Sequence, residues 1–176
     1  MWQDQSVLTL DQSLFPAKDL GRELAEVYVE AHFWTHRLAT NPVVDWFVSR
    51  GRLDEFLLLE NLLTRPEILA AFEEVESTDI PAGGFQYLSP FKLGGTLAAA
   101  YYSLARERRS GQFAKNLGEK AADLLIGGDF DHTYVFYGIS PWCDFFFGQG
   151  FDPSWVIVDS QKRLIHTIVA TGGRFI

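Results

Sequence analysis

Near Asp131 the spacing of apolar residues changes from a period of about 3.6 to one of about 2, and no other feature limits the possible folds as much. Upstream, Leu20, Leu24, Val27, Ala31, Trp34 and Leu38 follow one another at spacings of four and three, as on one face of a helix opened by Pro16. Asn41-Pro42 reads as a cap and first-turn proline for a short helix over 43–50 that ends at Gly51. Residues 52–63, RLDEFLLLENLL, leave little polar face and predict a central helix. Thr64 and Glu67 fit a capping box that opens another, with Ile68, Leu69, Phe72 and Val75 as its stripe. A Gly- and Pro-rich stretch over 77–95 breaks the helical run around a short strand at 85–88. Two more helices follow, one carried by Leu97, Tyr101, Leu104 and Arg108, the other by Phe113, Leu117, Ala121 and Leu124. Gly111 parts them, and Gly127-Gly128 ends the second.

Downstream, 132–137, 142–147, 155–158 and 164–171 read as strands, with 159–163 joining the last two. The pattern predicts one α+β domain over 1–176. Its N-terminal portion, 17–126, forms five to six helices, packed on a C-terminal antiparallel β-meander of three to four strands within 132–171. A chain of 176 residues is long enough to bury a core without staples. Its single cysteine excludes an internal disulfide and a thiolate zinc site. The N-terminus lacks a basic stretch followed by a long apolar run, so no signal peptide is expected. Apolar runs such as 56–59 are too short to cross a bilayer, which makes the expected location cytoplasmic, away from membranes.

The net charge is −8 and is unevenly placed. Residues 54–79 hold eight acidic side chains and one basic; residues 121–161 hold six Asp and no Lys or Arg. Such a chain repels phosphate backbones, so no nucleic-acid partner is expected. Arg106, Arg108 and Arg109 are the exception, and read as the solvated, cationic end of a helix.

Four groupings bear on chemistry. On a helix His32 and His36 share one side, as metal ligands do, but Phe33 stands where a metalloprotease needs Glu, and no third ligand is in reach. No metal is expected there. Cys143 and His166 fall on neighbouring candidate strands and could pair as thiolate and base, with Asp144 or Asp159 orienting the ring. The setting of Cys143, among rings and acid, disfavours a thiolate and suits a buried apolar side chain. Asp129-Phe-Asp131-His132 follows two glycines, where carboxylates can hold Mg²⁺ or Ca²⁺. Gly127-Gly128-Asp129-Phe130 resembles the signature turn of cyclic-dinucleotide synthases, but Phe130 replaces the expected acid and the turn joins a helix to a strand. Gly94-Gly95-Thr96 lacks a Walker lysine and reads as a helix cap. No cofactor is expected.

Aromatic residues make up 15% of the chain, which implies a ring-rich core or a surface that binds something. Trp142, Phe145, Phe146, Phe147, Phe151 and Trp155 crowd a short span, interleaved with Asp144 and Asp152. Alternation along strands sends these rings to both faces. Either both faces of the sheet are covered, or Trp142, Asp144, Phe151, Asp152 and Trp155 form an exposed surface that captures a basic protein partner. The acid-rich, aromatic-rich, cofactor-free profile is similar in general character to bacterial immunity proteins, which neutralise a toxin by covering it. That resemblance rests on no motif and implies no site residues. The expectation is a small acidic interaction protein rather than an enzyme. The competing account is a ligand-binding or Cys/His-dependent domain with a pocket between sheet and helices.

Overall fold

The computed structural model of the chain describes residues 8–10, 30–38, 50, 59, 63, 84–104, 110–143, 146 and 151–171. They form an antiparallel sheet with two helices on one of its faces. Strands β1 (Leu8–Leu10), β2 (Glu30–Leu38) and β3 (Phe85–Leu88) precede helices α1 (Leu93–Leu104) and α2 (Gly111–Ile126). Strands β4 (Thr133–Gly138), β5 (Ser154–Asp159) and β6 (Leu164–Thr171) follow. Their order across the sheet is β1-β2-β6-β5-β4-β3, each pair antiparallel.

The expected five to six helices ahead of a three- to four-stranded meander are therefore corrected. Among the described residues, two helices are seen along their length, and the sheet has six strands. The clearest reversal is residues 30–38. They continue the helical stripe, yet they form β2 and pair with β6 from Glu30↔Thr171 to Arg37↔Leu164. Phe33, Trp34 and Thr35 are residue types that fit a pleated surface, and β6 offers a full ladder of backbone partners. Pairing with a distant strand outweighs a local spacing that both elements can accommodate. The helices expected over 43–50, apart from Arg50 in a turn, and over 66–76, and most of 52–63, lie outside the described residues, though Leu59 and Leu63 are helical and Leu63 is fully buried. So does the Arg106–Arg109 cluster. Among the described residues of 142–147 there is an isolated bridge at Cys143 rather than the expected strand. These residues, Trp142, Cys143 and Phe146, belong to the connection between β4 and β5.

The C-terminal meander is present as β4-β5-β6. Side chains alternate, so each strand supplies both layers. Val135, Trp155, Ile157, Ile168 and Ala170 face α1 and α2, where they meet Leu93, Leu97, Ala100, Tyr101, Leu117, Ala121, Leu125 and Ile126. The opposite layer is buried as well: Val156, Val158, Ile165 and Val169 are inaccessible to solvent. Trp142 lies there, its indole Nε1 donating 3.0 Å to Ser154 Oγ, with the Phe146 ring 5.5 Å from its own. The β5 and β6 strands are thus covered on both sides, which is how the rings of this region are accommodated.

Small residues bring the helices together. The Cβ of an alanine at Gly118 would stand 2.3 Å from Gly94 O and 2.6 Å from Ala98 N, so α2 crosses α1 at backbone contact. Gly94, Gly95 and Thr96 do not cap α1 but lie inside it. Thr96 Oγ1 donates to Leu93 O (2.9 Å) and accepts from Trp155 Nε1 (3.0 Å), tying the helix to the centre of the sheet. The α2 boundaries follow their chemistry. Ser110 Oγ accepts from Phe113 N at the start. At the end Gly127 adopts the left-handed conformation (φ 63°) and its N–H donates to Asp123 O. The buried stripe is Ala114, Leu117, Gly118, Ala121, Ala122, Leu125 and Ile126, so the helix is rotated from the expected one, and Phe113 and Leu124 are exposed.

Candidate functional site

The residues expected to form an exposed, partner-binding surface are for the most part interior. Trp142 is 1% exposed, Trp155 0% and Asp152 3%; Phe151 is half-buried against the core; Asp144 lies outside the described residues. Trp142, Asp152 and Trp155 are interior residues and offer no exposed contact in this fold. The Asp152 carboxylate sits inside, so it is no rim charge of the kind that steers a partner.

Cys143 is buried. His166 is buried in the middle of β6, across from Ile157 on β5 and Thr35 on β2. By alternation it shares the helix-facing side of β6 with Ile168 and Ala170, whereas Trp142, next to Cys143, is anchored on the other side. Burial holds the His166 imidazole well below its ordinary value, at about 4; Asp159 opposes that shift and Lys162 adds to it. A neutral, desolvated ring in a packed sheet has a consequence for stability. The folded value lies below the unfolded one, so the unfolded chain takes up the proton first, and stability should fall as pH drops from about 6.5 to about 4. Linkage puts that loss at about 3 kcal/mol. Urea midpoints across this range should show the slope in the native sequence and a smaller one in His166→Gln. An identical slope in both would exclude His166 as its source.

His32 and His36 lie on β2, opposite Val169 and Ile165 of β6. Four residues along a strand span about 13 Å, so the helical argument for a shared ion no longer applies. Among the described residues no group of three or more His, Cys, Asp and Glu could hold a metal.

The α2–β4 corner is the site that the structure assembles. Gly127 and Gly128, both at positive φ, reverse the chain and bring Asp129 to the start of β4. Asp129 Oδ1 is 2.7 Å from His132 Nδ1, and Thr133 Oγ1 donates to Asp129 O (2.5 Å). The hydrogen bond and charge of Asp129 raise the His132 pKa, with Asp131 and Asp159 contributing smaller effects. The β5–β6 turn closes this corner. Ser160 donates to His132 O from N (2.9 Å) and from Oγ (2.8 Å). Buried Asp159 accepts from both the Lys162 backbone N (2.6 Å) and Nζ (2.7 Å). Phe130, between the two aspartates, packs against the core with one side. Its ring carries that of Phe91 in a parallel stack, 4.7 Å between centroids and 5° between planes. Phe91 is 78% exposed. Tyr87, on edge strand β3, is 61% exposed and meets Phe136 edge-on.

The sequence marks Asp129, Asp131 and His132 as a loop cluster. Nothing in it signals Phe91, which stacks on Phe130 in that loop because β3 pairs with β4 and the turn at Pro90–Lys92 comes just after β3. Among the described residues, core side chains pack between the sheet and the helices, where the enzyme reading expects a pocket. No helix among the described residues is long and apolar enough to cross a membrane. No protein-family model matches this chain, and no curated protein matches it either.

Proposed function

We propose that the chain is an acidic interaction protein whose partner is a protein with a basic contact surface. The observation that carries this reading is Phe91, a largely exposed phenylalanine stacked on a ring flanked in sequence by Asp129 and Asp131. A single exposed apolar residue is ordinary, but a stacked aromatic pair whose inner ring has an aspartate on each side in sequence has the composition that recognises cationic side chains. The net charge of −8 supports the same sign of partner, since it steers cation-rich surfaces in and repels phosphate. The contact surface therefore moves from residues 142–155 to the α2–β4 corner. An immunity-type role, neutralising a partner by covering it, falls within this class.

The test is direct. A labelled Arg/Ser dodecapeptide, its Glu/Ser counterpart and a duplex DNA are each titrated with the protein at physiological salt. Saturable binding of the cationic probe alone is expected, with an association rate that falls as salt rises. Binding to the DNA, or none to the cationic peptide, would overturn the reading.

A further inference from the structure

We infer that the outer face of Phe91 is a seat for a guanidinium group of the partner, and that the Asp129–His132 pair sets how strongly that seat holds it. The inference rests on the proposed function and specifies its contact. One face of the Phe91 ring is taken by Phe130; the other is open to solvent. A planar cation on that open face meets the negative face of the ring. Arg suits it better than Lys, because guanidinium stacks and gives up its hydration more readily than an ammonium.

The charges around the seat are few. Asp131 is exposed beside Phe130; Lys92, next to Phe91, is exposed and opposes a cation. Asp159 is committed to Lys162. Asp129 is the variable member, since the His132 ring 2.7 Å away offsets its charge when protonated. His132 is itself open to solvent, so its proton exchanges freely with the medium. With His132 protonated, the corner carries little net charge against Lys92. With His132 neutral, the corner carries the charge of both aspartates. The groups facing His132 are Asp129 and Asp131 from the α2–β4 loop and Asp159 from the β5–β6 turn, and all three favour its proton. The transition consequently lies above the ordinary histidine value, and cation binding should tighten as pH rises through it.

The experiment compares the Arg/Ser dodecapeptide with Lys/Ser and citrulline/Ser versions, at pH 5.5 and 8.5. Affinity should run Arg above Lys above citrulline. Phe91→Ala should weaken Arg binding about two- to five-fold, the size of an exposed cation–π contact. Phe113→Ala, an exposed ring on α2, should leave it unchanged. Native affinity should be higher at pH 8.5, and Asp129→Asn should abolish that gain. If the native protein binds the Arg peptide and Phe91→Ala binds it equally, the seat is wrong while the basic-partner reading stands. An Asp129→Asn variant that keeps the pH gain removes the switch. A native protein that binds none of the peptides overturns both.

Discussion

Trp155→Ala should cost about 3–5 kcal/mol of folding stability, the range for emptying a fully buried Trp site. The side chain is wholly buried, lies 5.4 Å from the Tyr137 ring, faces Ile168 across the β5–β6 ladder and donates to Thr96 Oγ1. Truncation leaves a cavity between sheet and α1 and removes the donor to Thr96. Against a total stability of about 5–15 kcal/mol for a domain, that is a large fraction. Trp155→Phe keeps most of the ring and loses the indole N–H, for a smaller cost of about 1–2 kcal/mol. Urea denaturation should show both losses as a lower midpoint at unchanged slope. A surface contact residue would instead change stability by less than about 0.5 kcal/mol. A near-neutral Trp155→Ala would return this residue to the surface and contradict the fold.

Gly118→Ala is the second large effect. In an exposed helix interior that change would stabilise by about 1 kcal/mol, because Ala is the better helix former. Here the new Cβ would lie 2.3 Å from Gly94 O, 2.6 Å from Ala98 N and 2.7 Å from Ala98 Cβ. Two of these are backbone atoms of α1, which no rotamer change can move aside, so the helices must separate. Overpacking of this kind costs about 1–3 kcal/mol, and more where backbone has to shift. The net expectation is a loss of about 2 kcal/mol, or about 4–8 °C in melting temperature for a chain of this size. Gly95→Ala is the control. It is one residue from Gly94, exposed, with nothing within 4 Å of its Cβ position, and should be neutral or stabilising. If both variants melt alike, the close crossing of α1 and α2 is not present.

The two predictions separate what could be read along the chain from what could not. The extents of β3 and β6 match their expected ranges, and β5 differs by a residue at each end. Their signals are local: β-branched and aromatic runs bounded by turn residues. The Gly127-Gly128 end of α2 is local too, because a left-handed cap depends on its own backbone. Residues 30–38 show the opposite case. A spacing of four and three satisfies a helix, yet the ladder that makes them β2 is supplied by β6, more than a hundred residues away. The buried face of α2 was likewise displaced, since Ala114, Gly118 and Ala122 face inward where small size, not hydrophobicity, decides the packing.

The candidate site divides the same way. The sequence by itself determined the sign of the charge, the wealth of rings, and the loop cluster of Asp129, Asp131 and His132, because these depend only on residue identity and near neighbours. Only the tertiary structure decided which rings are interior and which meet water. A strand alternates its faces, and whether both are covered depends on what packs there from elsewhere in the chain. That is why Trp142, Asp152 and Trp155 lie within the molecule. It is also why Phe91, distant in sequence, is the ring that the fold stacks on Phe130 and leaves open to solvent.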